Sequence, residues 1–78
     1  MPIRYAQHAL RQMQRRGITR DDVAECLENH VSRYETRQKR EYKGPVRGRM
    51  LKVGVAPDVD TDAEKLVTTA MWEGDDGS

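Results

Sequence analysis

His8, Arg11 and Arg15 are spaced so that a helix would carry them on one side, with Gln12 beside them and Arg16 at the border of the opposite, apolar stripe. Two guanidinium forks one turn apart can grip a phosphate while an imidazole reaches a neighbouring hydroxyl. A histidine in a first helical turn, close to arginines, is disfavoured as imidazolium, and a neutral imidazole can act as a base. The same spacing also suits a solvated helix face with an incidental histidine, and the residues alone leave both readings open.

A second basic group follows. Arg37, Lys39, Arg40, Lys43, Arg47, Arg49 and Lys52 alternate with Tyr34 and Tyr42, a mixture able to contact phosphates and stack on bases, or else to form an ordinary polar sheet face. Tyr42 and Lys43 are the RNA contacts read from this group, and Arg49 and Lys52 are added as phosphate contacts from charge and position.

Other constellations carry less chemistry. Cys26 and His30 stand four residues apart, the spacing of a thiolate–imidazole pair or half a zinc site, but no second cysteine exists and a small buried thiol is expected. The segment from Asp58 to Glu64 places Asp58, Asp60 and Asp62 at alternate positions, like the start of a calcium loop. Ala63 replaces the sharp-turn glycine and Thr69 the closing glutamate, so a solvated loop is expected and no metal site is assigned. Thr68 and Thr69 should lie on opposite faces of a strand. No cofactor-binding motif occurs.

Elements must position these residues. Ala6, Ala9, Leu10, Met13 and Gly17 fall on one side of a helix over about residues 6–16, with Gly17 suited to its left-handed end. Thr19 is a natural N-cap, followed by Asp21 and Asp22 in the first turn of a second helix over about 20–29. Val23, Cys26, Leu27 and His30 would be its buried stripe. Strands are expected over 31–37 and 40–44, then a Gly/Pro connection over 44–48. A strand with Arg49, Leu51, Val53 and Val55 on one face should follow, with a last strand over 65–72. The fold class is therefore α+β: an N-terminal two-helix hairpin on an antiparallel sheet of three to four strands.

At 78 residues the chain is one domain with a thin core, expected over 1–72 with a flexible acidic tail over 73–78. The formal net charge is +1, but residues 1–52 hold 13 Lys/Arg against 6 Asp/Glu, whereas residues 53–78 hold 1 against 7. A basic body with an acidic end suits a polyanion partner, and the acidic segments are long enough to mask the basic face. One cysteine, no membrane-length apolar run and no signal-like start lead to an expected reducing, cytoplasmic location without a membrane partner. The small core leaves a homodimer open.

His8-Ala9-Leu10, Met13, Arg16-Gly17-Ile18, Asp22-Val23 and Leu27-Glu28-Asn29 resemble the HA-x-x-RM-x-x-RGI…V…L signature of a small bacterial family of unknown function. Tyr34, Tyr42-Lys43-Gly44, Gly48-Arg49, Leu51-Lys52-Val53 and Leu66-Val67-Thr68 resemble its strand motifs. That family has been grouped with RelE-like ribonuclease toxins of the BECR fold. The resemblance implies two helices backing a curved antiparallel sheet whose open face holds RNA. It also implies metal-independent cleavage by attack of the RNA 2′-hydroxyl on its own phosphodiester, in a toxin paired with an antitoxin protein or a related nuclease, acting on free or ribosome-associated RNA. His8 would be the base or acid, Arg16 would hold the phosphate, and Thr68 would supply a hydroxyl. Gln12 stands where the family has arginine, which leaves open an altered specificity, a catalytically dead relative or a structural role for that position. The alternative to the enzyme is a non-catalytic RNA-binding or protein-interaction module of the same fold.

Overall fold

The computed structural model describes residues 3–60 and 64–74. Strand β1 (Ile3–Tyr5) leads into helices α1 (Gln7–Arg16) and α2 (Arg20–Glu28). Then come β2 (Ser32–Glu35), β3 (Arg40–Val46), β4 (Arg49–Val55), a short 3-10 turn at Pro57–Val59 and β5 (Lys65–Trp72). The strands form one sheet in the order β1-β5-β4-β3-β2.

The α+β class and the helix hairpin stand as expected, but among the described residues the sheet has five strands and is mixed. The additional strand is β1, which runs parallel to β5 with Tyr5 opposite Val67. Three residues are too short to show an alternation, and the pairing joins positions about sixty residues apart in sequence.

Local chemistry explains the helix ends. Gly17 takes the left-handed conformation at φ 68°, and Ile18 N–H closes back on the Met13 carbonyl at 2.9 Å. Thr19 and Asp22 form a reciprocal capping box at the start of α2. His30 departs from expectation: it lies beyond α2 and is exposed, its ring edge-on to Tyr42 at a centroid distance of 4.8 Å.

Strand β3 runs through Gly44 and Pro45, where a connection was expected. The turn is instead Arg47-Gly48, with both residues at positive φ, joining Val46 to Arg49 as a two-residue hairpin. Pro45 is tolerated because β2 reaches only as far as Lys43, so the missing N–H costs no ladder bond.

Both helices cover one face of the sheet. Ala9 and Met13 of α1 and Val23, Cys26 and Leu27 of α2 are buried against Leu51, Val53 and Val55 of β4 and Val67, Ala70 and Trp72 of β5. Gly44 allows α2 a close approach to β3, since a Cβ there would stand 2.7 Å from the Cys26 carbonyl oxygen. The other face, carrying Lys43, Lys52, Thr69 and Met71, has no helix over it among the described residues.

The loop expected to be solvated is anchored at Asp60, whose side chain is 1 % exposed. It accepts hydrogen bonds from Arg40 at 2.6 Å, the Tyr42 hydroxyl and Lys65. Residues 61–63, with the remainder of the calcium-like pattern, lie outside the described residues, as do residues 75–78 of the expected tail.

Candidate anion-binding cleft

The last turn of α1, the β3–β4 turn and the end of β5 meet at one corner of the molecule. Trp72 ties them together: its ring is 4 % exposed and its indole N–H donates to the Arg16 carbonyl at 3.0 Å. Arg49, on the same face of β4 as Leu51, lies over this ring at 4.7 Å, and Arg47 lies over it at 5.5 Å. Each guanidinium rests on the negative face of the indole.

Between them opens a cleft of about 290 Å3 lined by Arg16, Gly17, Arg47, Arg49 and Trp72. Arg47 is held in place by Asp22 at 2.7 Å and by the Gly17 carbonyl at 3.0 Å. Arg16 Nη1 is shielded from solvent and has no hydrogen-bond partner among the described residues. Among the described residues Asp22 is the carboxylate that reaches this corner through Arg47. A buried guanidinium nitrogen without an acceptor is costly. The partial negative charge at the end of α1, about half a unit, opposes an anion here and is smaller than the full charge of Arg16.

Arg47 reaches the cleft from an unusual backbone position. Its φ of 52° lies in the left-handed region, where a residue with a Cβ is disfavoured by about 1–2 kcal/mol. Such an outlier is retained where the surrounding contacts determine it, and a Trp face, a carboxylate and a carbonyl do so here.

The residues singled out from sequence fall on three separate surfaces. Arg16 and Arg49 meet in the cleft. His8, Arg11 and Arg15 are exposed on α1, and eight residues of helix put His8 about 12 Å along the axis from Arg16. Lys43 and Lys52 are directly opposite one another on the open sheet face, with Lys43 3.9 Å from Glu73.

Thr68 is on that open face too, separated from α1 by the sheet. A bulge pairs Val55 with Val67 and Gly54 with Thr69, leaving Thr68 as the extra residue, so the two threonines do not alternate as expected. Both hydroxyls lie over Gly54, and Thr68 Oγ1 donates to its carbonyl at 3.3 Å. His8, Arg16 and Thr68 therefore do not converge on one point.

Tyr42 corrects the expectation of base stacking. It is 3 % exposed, with His30 at its edge and the Lys65 ammonium 5.4 Å from its centroid. No base can reach that ring. Gln12 has a definite place in the fold, since its Oε1 accepts the Ala70 N–H at 3.2 Å. Cys26 is fully buried, donates to the Leu51 carbonyl at 3.3 Å, and is pushed up to about 11 by burial, partly offset by a backbone hydrogen bond from Gly44.

Sequence reasoning missed Arg47 as a cleft residue, although Arg47-Gly48-Arg49 between two alternating runs was a readable turn signal. The fold and this corner define a small α+β domain with an arginine-lined cleft beside a buried tryptophan. Residues 5–72 match the family described as a domain of unknown function, DUF4258, and the chain belongs to that family. No curated protein and no solved structure matches it. Among the described residues no helix is long and apolar enough to cross a membrane.

Proposed function

We propose that this domain binds RNA through its phosphates, with one phosphate seated among Arg16, Arg47 and Arg49. The observation that carries the reading is the meeting of Arg16, Arg47 and Arg49 in one cleft beside Trp72. A phosphodiester offers two unesterified oxygens, matching bidentate guanidinium forks. The exposed Arg11 and Arg15 on α1, together with Lys43 and Lys52 on the open sheet face, supply further contacts, as a polyanion requires. The resemblance to RelE-like proteins, and the helix pair backing one face of the sheet, favour RNA as that polyanion.

Metal-independent RNA cleavage, as by the toxin of a toxin–antitoxin pair, is the second reading. It is favoured by His8 standing exposed on the same helix face as Arg11 and Arg15. In that arrangement His8 is the base and those two arginines, rather than Arg16, hold the reacting phosphate. A protein antitoxin is a partner only on this reading.

One experiment separates the two. Purified protein is incubated with labelled mixed-sequence RNA and chelator, beside Arg16→Met and His8→Ala. Binding that weakens in Arg16→Met, with RNA intact throughout, supports the binding domain. Fragments with 2′,3′-cyclic phosphate ends that vanish only in His8→Ala establish the enzyme. RNA that is neither retained nor cut at physiological salt overturns both.

A further inference from the structure

Strand β2 forms one outer edge of the sheet, and all four of its residues are exposed. Among the described residues the exposed large apolar side chains, Val31 at 68 % and Tyr34 at 60 %, lie on or beside it. An edge like this presents unpaired backbone groups, and the ladder with β3 fixes which ones. Thr36 N–H donates inward to the Lys39 carbonyl at 2.8 Å, continuing the register that sets Glu35 opposite Arg40 and Tyr34 opposite Glu41. In an antiparallel ladder, inward and outward backbone groups alternate. Ser32 and Tyr34 therefore bond to β3, and Arg33 and Glu35 present their N–H and C=O groups outward.

Any antiparallel strand added here must bond through Arg33 and Glu35. Two copies of β2 related by a two-fold axis have three close registers. One sets Arg33 opposite Arg33, another sets Glu35 opposite Glu35, and both place like charges directly across a hydrogen-bonded pair. The third passes the axis through Tyr34. It sets each Arg33 opposite a Glu35 as two hydrogen-bonded pairs and brings the two Tyr34 side chains together in the closely spaced pair between them. Charges on an edge strand ordinarily repel further pairing. Here their two-residue alternation repels only the other registers.

We propose that β2 is a self-association edge, joining two copies of this chain antiparallel about a two-fold axis through Tyr34. The result is a continuous ten-stranded sheet. An axis perpendicular to the sheet keeps all four helices on one side and merges the two open faces, each with its Lys43 and Lys52, on the other. The four-residue overlap is short, so association is weak and depends on concentration.

The test is sedimentation of the full chain, freed of nucleic acid, from micromolar to millimolar concentration. A reversible monomer–dimer equilibrium is expected. R33E and E35R alone each set like charges opposite one another at both pairs and should weaken the dimer about tenfold or more. An equimolar mixture of the two variants restores complementarity and should give a one-to-one heterodimer. Arg33→Pro removes only an outward donor, so it should be monomeric with an unchanged circular dichroism spectrum, and it carries the test if a charge variant fails to fold. A wild-type chain that stays monomeric throughout, or a dimer indifferent to all three substitutions, overturns the proposal.

Discussion

The Arg47 guanidinium donates to Asp22 Oδ2 at 2.7 Å, and the same oxygen accepts the Thr19 N–H at 3.0 Å. One carboxylate thus caps α2 and fixes a cleft arginine on a turn twenty-five residues further along the chain. This coupling separates the energetics of folding from those of binding. Arg47→Gly relieves about 1 kcal/mol of left-handed strain and loses a half-exposed ion pair of about 0–1 kcal/mol. Its thermal midpoint should shift by only a few degrees, as followed by circular dichroism. RNA affinity should fall, and the slope of log K against log salt should become shallower by about one in filter binding.

Asp60 predicts an acid-sensitive part of the stability. Burial alone would raise its carboxyl, but hydrogen bonds from Lys65, Tyr42 and Arg40 outweigh burial and hold it down from 3.8 to about 2. A depressed carboxyl stabilises the fold fully above its unfolded value and loses that contribution as pH falls through the folded one. The contribution, about 2 kcal/mol, should be complete above about pH 5 and largely gone near pH 2. Asp60→Asn should be destabilised by about 3 kcal/mol at pH 7. Urea midpoints of variant and wild type, taken stepwise from pH 7 to 2, should converge at the acid end.

Gln12 has a structural role that can be tested. Strand β1 ends with Tyr5 opposite Val67, so the Ala70 N–H further along β5 has no strand to bond, and Gln12 Oε1 takes that place. An arginine has no acceptor to offer. Gln12→Ala and Gln12→Arg should each lose about 1–3 kcal/mol in urea unfolding, the cost of an unpaired buried donor, while Gln12→Glu should lose less.

Cys26 should be inert in the folded state. With its thiol buried and held near 11, it should react with an aromatic disulfide reagent at pH 8 only as fast as the chain unfolds, and at the ordinary thiol rate in denaturant. Rapid modification of the native chain would mean that α2 does not stay packed on β3.

The parts legible in the sequence were those with a sustained period. The helical stripe from Ala6 to Met13, the alternation of Leu51, Val53 and Val55, and the run from Lys65 to Trp72 appear as elements within a residue or two of where they were expected. The misread parts depend on partners distant in sequence. Pro45 reads as a break unless the end of β2 is known. Tyr42 reads as a solvent-facing aromatic because a strand of alternating charges and tyrosines does not show which phase faces inward, and a one-residue slip inverts every side chain. Asp60 reads as a loop carboxylate because the cations that hold it come from β3 and β5. Of the candidate site, Arg16 and Arg49 were singled out for phosphate, but their meeting around Trp72 depends on the tight Arg47-Gly48 turn, which the longer Gly/Pro connection expected over 44–48 conceals.

The parallel pairing of β1 with β5 bears on the order in which the molecule can assemble. β1 and α1 precede β5 by about fifty residues or more, yet both rest on it, and it sits between β1 and β4 in the sheet. Until residues 65–72 are in place, the apolar stripe of α1 lacks the strand it packs on and the sheet lacks its second-outermost member. Closure must therefore join segments from opposite ends of the domain, so folding should be slow for its length.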